Sequence, residues 1–208
     1  MLPKAGKAIG KQRSMPMLTD TSQRILDAAT RVFAREGVCG ATTREIARLA
    51  GVNEVTLFRH FKNKAELLYQ VVMRLSGQYE SVFEGAPMET TEDLRRTVEA
   101  HVAMYMRRLT ANEEFVRTFY GEWKRYPELC RCLFVESSRQ VRQKFIHYLL
   151  AVQKKGLIRD DLDVTTAADA LIGMLLVGVL RRPFTDPEYS NPRFSGTCLE
   201  LFLRGIAP

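Results

Sequence analysis

A short polar stretch over residues 53–60 carries side chains that could recognise the edges of nucleic-acid bases. The guanidinium group of Arg59 can donate two hydrogen bonds to guanine, and Asn53 can contact an adenine or a phosphate. Thr56 can contact a phosphate or a thymine methyl group, and Glu54 can accept from the amino group of cytosine. An acid is unfavourable in a groove lined by phosphates, so Glu54 is alternatively expected to face solvent or to pair with Arg59. Side chains of these types could read a base sequence if the stretch lies on a helix that enters a groove of DNA.

Helix start signals divide the surrounding residues 41–68 into three helical segments. Thr42 and Asn63 are each followed three residues later by a glutamate, a pattern typical of helix N termini. Asn53 stands where a further helix must begin, and asparagine is among the preferred N-cap residues. The polar stretch is therefore expected to form a helix of its own, positioned by a helix on either side.

The turn between the first two of these helices has the spacing of a helix-turn-helix. Gly51 can adopt the positive φ that ends one helix and turns the chain into the next. Ala47 is small enough for the two helices to cross closely, and Leu57 supplies an apolar side chain between them. This spacing of small, glycine and apolar residues predicts a DNA-reading turn.

The distribution of charge favours a polyanionic partner. The 208-residue chain has a formal net charge of +7, with 26% charged and 46% hydrophobic residues, a composition typical of soluble globular proteins. Residues 1–63 contain 11 Lys and Arg against 5 Asp and Glu, whereas residues 64–208 contain 20 against 19. Nearly all the excess is N-terminal, which predicts a nucleic-acid-binding part on an almost neutral body. A membrane is the competing partner, but no long basic amphipathic helix or lipidation signal supports it.

The composition indicates neither metal chemistry nor catalysis. The four cysteines are scattered and no secretory signal precedes them, so free thiols in a reducing cytosol are expected. Cys130 and Cys132 could suggest a metal site, but two residues apart on a helix they would lie on roughly opposite faces. There is no nucleophile elbow, phosphate-binding glycine loop or His-Glu-x-x-His motif, and the chain has only 3 histidines. We therefore expect no enzymatic activity, no metal and no cofactor.

Apolar residues recur at helical spacing through the rest of the chain, with hardly any of the alternation typical of strands. An all-α fold of about nine helices is predicted from this periodicity. Besides the two helices of the turn, the predicted helices cover residues 20–37, 64–83, 91–109, 112–125, 128–155, 163–180 and 193–203.

The chain is expected to divide into three parts. These are a flexible basic arm over residues 1–18, a helix-turn-helix domain over residues 19–64 and a larger helical domain over residues 65–208. The arm contains basic residues and no acid, so it could touch DNA phosphates or a minor groove. A frayed tail, or translation that starts at Met15 or Met17, is the alternative.

The segment over residues 167–180 is apolar almost all round. Its length is too short to span a bilayer. A helix that is apolar on every side must be covered on every side, and neighbours within one subunit would cover only part of it. A second copy of the chain is therefore expected to cover the remainder in a two-fold dimer, with burial inside one subunit as the alternative. The predicted dimer interface consists of Leu171, Met174, Leu175, Gly178, Leu199 and Phe202.

Residues 42–68 resemble the DNA-binding signature of the TetR family of bacterial transcriptional regulators. The residues that carry this resemblance are Thr42, Thr43, Ile46, Ala47, Ala50, Gly51, Val52, Thr56, Leu57, Phe58, His60, Phe61, Lys64, Leu67 and Leu68. The resemblance implies a homodimeric regulator, a repressor in the leading interpretation, whose three-helix head binds a palindromic operator in double-stranded DNA. It also implies a helical body that binds a small-molecule effector, and a cytoplasmic, nucleoid-associated location. A regulator fold that binds a partner protein without small-molecule control is the alternative.

In proteins of this family the third helix lies in the major groove, and the N termini of the second and fourth helices hold phosphates. The N-terminal end of a helix suits this role because its free N–H groups and dipole attract anions. His60 and Lys62 are expected to reach the DNA backbone. The candidate DNA-binding residues are Thr42, Thr43, Arg44, Asn53, Glu54, Val55, Thr56, Phe58, Arg59, His60, Lys62 and Lys64.

Two positions depart from the family pattern. Phe58 stands where the family commonly has tyrosine, so a hydroxyl contact to phosphate is lost. Val55 stands where the family commonly has glycine, so a close approach of the backbone is less favourable. The operator contacts of relatives therefore do not transfer residue by residue.

The resemblance places an effector site between the fourth helix and the helices that follow it. Methionine and aromatic side chains gather there, although such stripes more often form a core than a ligand site. His101 is a possible polar anchor among them. The candidate ligand-binding residues are His101, Met104, Phe115, Phe119, Trp123, Phe145, Tyr148 and Met174. An unidentified, largely apolar effector is expected.

Overall fold

The computed structural model describes residues 19–77, 82–122, 124, 127–182 and 191–208. These residues form nine α-helices and no strand, which confirms the predicted all-α fold. The helices are α1 (Asp20–Gly40), α2 (Thr43–Ala50), α3 (Glu54–His60), α4 (Lys64–Gly77), α5 (Thr91–Ala111), α6 (Glu113–Gly121), α7 (Pro127–Lys154), α8 (Val164–Arg181) and α9 (Asn191–Ile206). The predicted basic arm and Trp123 lie outside the described residues.

The first four helices begin where polar side chains satisfy free backbone N–H groups. The side-chain oxygens of Thr42, Asn53 and Asn63 each accept from the N–H three residues further on, at 3.1, 2.7 and 2.8 Å. These three predicted starts are confirmed. Helix α1 is capped by Thr19 at 3.2 Å, one residue before the predicted start at Asp20.

The structure differs from the prediction at two places. Helix α1 continues to Gly40 through a kink at Gly37, where the sequence predicts its end, and the φ of 71° at Gly37 requires glycine. Phe83, which the periodicity places at the end of α4, lies in a turn. Asn112 is the C-cap of α5 and stands directly before Glu113, the first residue of α6, as its predicted place at the start of that helix requires.

The described residues divide into two compact units. The first contains α1 to α4, α6 and the start of α7. Its core is formed by apolar side chains of α1, with Leu57 from α3 and Leu67 from α4 fully buried among them. Phe115 and Phe119 of α6 also belong to this core. The short reading helix α3 is thus held by one buried anchor, Leu57.

The second unit contains α5, the end of α7, α8 and α9. At its centre, Phe145 of α7 lies 5.4 Å from Phe83 and 6.1 Å from Phe202 of α9, measured between ring centroids. Leu171 and Leu175 of α8 are fully buried in the same cluster. A single core of aromatic and aliphatic side chains therefore holds this unit together.

Helix α8 has one covered and one open side. It has 18 residues, longer than the apolar segment read from the sequence, and by length and composition alone it is apolar enough to cross a membrane. Its inner side is buried against α5 and α9. On its outer side Val177 is 48% exposed, so neighbours in the subunit cover only part of the helix, as predicted.

Candidate functional site

Helix α3 presents most of its surface to the outside. Leu57 is its single buried residue, whereas Val55 is 71% exposed and Phe58 is 45% exposed. Arg59 and His60 are also exposed, in the last turn of the helix. Large apolar side chains are normally covered unless they meet a partner, and here they stand beside hydrogen-bonding groups. This face therefore has the composition of a base-reading surface.

The side chain of Asn53 is already engaged in capping α3. Its Oδ1 accepts from the backbone N–H of Thr56 at 2.7 Å. Two-point pairing with adenine requires both the oxygen and the nitrogen of the amide group. The cap uses one of the two lone pairs of this oxygen and fixes the orientation of the amide group, so a contact from its N–H groups to a phosphate or to a single base atom suits Asn53 better.

Glu54 lies at an exposed position, which agrees with one of the two alternatives considered from the sequence. Its Oε1 accepts a hydrogen bond from the hydroxyl of Thr43 at 2.8 Å. The two residues come from the N-terminal ends of α2 and α3, so the contact joins the two helices of the turn. The Thr43 hydroxyl, which was predicted to meet a phosphate, therefore donates to the carboxylate of Glu54 in this structure.

Lys64 is also used inside the first unit. Its Nζ donates to the carbonyl oxygens of Ala41 at 2.9 Å and Cys39 at 3.4 Å. These carbonyls follow the kink at the end of α1, where helix carbonyls lack partners. Two of the three N–H groups of this ammonium are directed to carbonyl oxygens, so a phosphate at the start of α4 would be held by the third and by the backbone N–H groups of the helix.

Arg24 has a structural role that the sequence did not reveal. Its Nη2 donates to the carbonyl oxygens of Ala50 at 2.6 Å and Gly51 at 3.3 Å. Gly51 has the positive φ expected of it, 67°, and ends α2. Arg24 thus caps the C terminus of α2 and fixes the turn that leads into α3.

His60 is linked to the start of α1. Its Nδ1 lies 3.0 Å from the hydroxyl oxygen of Ser22, which is 7% exposed. The sequence gave no signal for this pair, because 38 residues separate its members. Thr42, Arg44 and Lys62 lie at exposed positions in the same unit.

Four of the predicted ligand-binding residues come together in the second unit: His101, Phe145, Tyr148 and Met174. The ring of His101 is fully buried, with centroids 4.5 Å from Phe145 and 4.9 Å from Phe83. Burial lowers the pKa of His101 to about 4, so its imidazole is neutral at pH 7.

The other predicted ligand-binding residues lie elsewhere. Phe115 and Phe119 pack in the core of the first unit, with ring centroids 6.1 Å apart. Met104 is partly exposed on α5, and Trp123 is outside the described residues. The aromatic residues of α6 therefore belong to the core that supports α3, and helical periodicity alone could not assign them to one core or the other.

The predicted dimer interface requires a correction. Leu171 and Leu175 are fully buried within one subunit, and the ring of Phe194 covers Gly178 so closely that a Cβ atom there would lie 2.2 Å from its Cε1. Leu199 and Phe202 are also buried in the same core. These residues are enclosed by their own subunit, which is the alternative considered from the sequence, and the apolar residues on every side of α8 did not show which side faces inward.

Metal-binding clusters are not found among the described residues. Cys39 is exposed and Cys198 is buried. Burial raises the pKa of the Cys198 thiol.

Both parts of the chain match models of known protein families. Residues 25–71 match the model described as "Bacterial regulatory proteins, tetR family". Residues 92–192 match the model described as "AefR-like transcriptional repressor, C-terminal domain". The two matches together cover the helix-turn-helix and most of the second unit.

Individual relatives agree with these matches. The HTH-type transcriptional regulator AcrR of Shigella flexneri is 30% identical over 141 residues, which cover 64% of this chain and 66% of that protein. The fatty acid metabolism regulator protein of Bacillus subtilis is 25% identical over 197 residues, covering 88% of this chain and 94% of the relative.

The fold is also that of a solved regulator. The crystal structure of FadR from Bacillus subtilis in complex with stearoyl-CoA has a TM-score of 0.71 at 24% identity, covering 88% of this chain and 98% of that one. The described helices, the reading face of α3 and these matches lead to one conclusion. The chain belongs to the TetR family of bacterial transcriptional regulators, whose members bind DNA through this helix-turn-helix and are not enzymes.

Proposed function

We propose that this protein is a homodimeric repressor that binds a palindromic operator and is released by a small, largely apolar effector. The observation that carries the proposal is the exposed face of α3, where apolar and hydrogen-bonding side chains stand together above one buried anchor. Members of the family are soluble cytoplasmic DNA-binding proteins, and binding to operators would associate this one with the nucleoid.

The DNA-binding part of the proposal assigns residues 19–64 to the head and residues 65–208 to effector binding and dimerisation, with residues 1–18 as a basic arm. A palindrome requires two reading helices about 34 Å apart, in successive major grooves. Base contacts are assigned to Val55, Thr56 and Arg59, and backbone contacts to the N termini of α2 and α4. The excess of positive charge before residue 64 supports this division.

The dimer is proposed to form through the outer sides of α8 and α9. Val177 on α8 is 48% exposed and Leu201 on α9 is 60% exposed, although both are large apolar side chains. Met174 is partly exposed on the same helix. A two-fold axis would bring the same surface of a second copy against them. This moves the predicted interface from the buried side of the two helices to the open side.

The effector is proposed to bind in the second unit beside the aromatic cluster of His101, Phe145 and Tyr148. Most groups in this cluster are apolar, and the neutral imidazole of His101 offers one hydrogen-bonding group. A regulator of similar fold was crystallised with stearoyl-CoA, and a relative of similar length is a fatty acid metabolism regulator. Long-chain acyl compounds are therefore the first class to test.

Two helices of the first unit are neighbours of the second unit along the sequence. Helix α4 precedes the first segment of the second unit, and α6 follows α5 after one residue. Within the first unit, the hydroxyl of Thr118 on α6 donates to the carbonyl oxygen of Ala34 on α1 at 2.7 Å. We propose that an effector acts on the spacing of the two reading helices through α4 and α6 together.

A DNA titration with the purified full-length chain tests the function. Fragments from upstream of its own gene should be retarded, with an affinity that falls steeply with salt. Long-chain acyl-CoA should weaken binding and raise the melting temperature, whereas free CoA should do neither. Absence of binding to any genomic fragment at low salt would contradict the proposal. Solution mass with a partner protein would then test the alternative of a protein-binding adaptor.

A further inference from the structure

The imidazole of His60 is held from inside the first unit. Its Nδ1 lies 3.0 Å from Ser22 Oγ, and Ser22 is only 7% exposed. His60 itself is the last residue of α3 and is exposed. One edge of the ring is therefore fixed against α1 while the rest of the ring remains on the surface.

A second hydroxyl, that of Thr19, extends this hydrogen-bonded chain and allows Ser22 to act as the donor to His60. Thr19 Oγ1 accepts from the backbone N–H of Ser22 at 3.2 Å and lies 2.9 Å from Ser22 Oγ. When the hydroxyl of Thr19 donates to Ser22 Oγ, the hydroxyl of Ser22 is left to donate to His60 Nδ1. A neutral imidazole that accepts at Nδ1 carries its proton on Nε2.

The proton on Nε2 then points away from α1, since the two ring nitrogens lie on different edges of the imidazole. In homeodomain-like heads the end of the third helix runs beside the DNA backbone. An N–H group at this place, with its direction fixed in advance, suits a phosphate oxygen. We propose that Ser22 is a positioning residue for DNA binding: it holds His60 in the tautomer whose Nε2–H donates to an operator phosphate.

This inference rests on the proposed function, and the test compares Ser22→Ala, His60→Ala and the double variant with the wild-type protein. Thr30→Val is the matched control, because Thr30 lies on the same helix but donates to the carbonyl of Leu26 at 2.8 Å. Ser22→Ala should lower operator affinity about fivefold, the effect of losing roughly one oriented hydrogen bond. In the His60→Ala background the same change should have almost no further effect. Thr30→Val should bind like the wild type.

Phosphate ethylation interference separates positioning from a general structural role. Ethylation of one phosphate in each half-site should weaken binding of the wild type but not of Ser22→Ala or His60→Ala. Interference by base methylation should be the same in all three proteins. A displaced α3 would change the base contacts as well, and that result would overturn the proposal.

Nitrogen NMR of His60 in the DNA-free protein provides an independent test. The wild type should show the Nε2–H tautomer, and Ser22→Ala should show a mixture. An Nδ1–H tautomer in the wild type, or full operator affinity in Ser22→Ala, would overturn the inference alone. A wild-type protein that binds no DNA would overturn the proposed function as well.

Discussion

Acidification should destabilise this protein through one buried side chain, His101. Its ring is fully buried, and burial lowers its pKa from 6.5 to about 4. The unfolded chain therefore binds a proton at higher pH than the folded chain does. Because the unfolded state holds more protons between these two values, stability is complete above about pH 6.5 and is lost as the pH falls towards 4.

The size of the effect follows from the two pKa values. Each unit of pKa difference corresponds to about 1.4 kcal/mol, so the full loss below pH 4 is about 3 kcal/mol. At about pH 5 the folded state is still almost unprotonated at His101, and the loss is about 2 kcal/mol. That amount is a large fraction of the free energy of unfolding of a typical domain.

Urea unfolding followed by far-UV circular dichroism measures this loss. Curves are recorded at about pH 7.5 and pH 5 at one fixed protein concentration, because the stability of a dimer depends on concentration. The substitution His101→Phe places a ring that suits the aromatic cluster but takes up no proton. Between about pH 7.5 and pH 5, the free energy of unfolding of this variant should fall by about 2 kcal/mol less than that of the wild type.

The exposed His147 supplies the matched control, and His147→Gln should follow the wild-type curves at both pH values. If His101→Phe lost as much stability on acidification as the wild type, the buried imidazole would not be the cause. The loss would then have to come from carboxylates, which titrate at lower pH.

Three substitutions test other contacts. Glu54→Gln removes the negative charge of the group that accepts from Thr43 at 2.8 Å. The affinities for operator DNA and for unrelated DNA should therefore both rise several-fold in gel-shift titrations. Weaker binding to the operator alone would identify Glu54 as a base reader. Arg59→Ala should cost about 1–3 kcal/mol and relax the preference at one position of each half-site, whereas an equal loss on all sequences would identify a phosphate contact. Gly178→Ala should cost about 1–3 kcal/mol in thermal unfolding because its Cβ would lie 2.2 Å from Phe194 Cε1. Gly173→Ala, where nothing lies within 4 Å of the added atom, is its control and should be neutral or stabilising.

The parts of the fold that could be predicted from sequence are those determined by local chemistry. Thr42, Asn53 and Asn63 begin helices because their side chains satisfy N–H groups three residues away. Gly51 ends α2 because only glycine adopts its φ of 67° without strain. Leu57 was recognisable as the buried anchor of α3 from its spacing to that glycine.

The parts that could not be predicted depend on contacts between distant segments. Ser22 and His60 are 38 residues apart, Arg24 and Ala50 are 26 apart, and Lys64 and Ala41 are 23 apart. Each of these polar side chains had the chemistry of a surface or DNA-contacting residue in the sequence. In the folded protein Ser22 meets the ring of His60, whereas Arg24 and Lys64 each meet carbonyl oxygens at a helix end.

A similar ambiguity affected the apolar residues. Helix α8 is apolar on every side, so periodicity could not show that Leu171 and Leu175 face inward and Val177 outward. Phe115 and Phe119 likewise fit a core at helical spacing, and only the fold assigns them to the first unit.

The internal contacts of the first unit narrow the set of side chains that can read DNA. Asn53 caps α3 with its oxygen, Glu54 accepts from Thr43, and the ammonium group of Lys64 caps the end of α1. We therefore propose that base recognition by α3 depends mainly on its exposed apolar side chains and its arginine.

Val55 and Phe58 are 71% and 45% exposed on the same short helix as Arg59. Apolar side chains in a major groove contact the methyl group of thymine, and arginine pairs with guanine. Each operator half-site is therefore expected to present a guanine beside one or more thymines. Phe58 and Val55 stand where the family commonly has tyrosine and glycine, and we propose that they exchange a phosphate contact and a close backbone approach for contacts with base methyl groups. The two departures from the family pattern are thus the positions at which this regulator would distinguish its operator from those of its relatives.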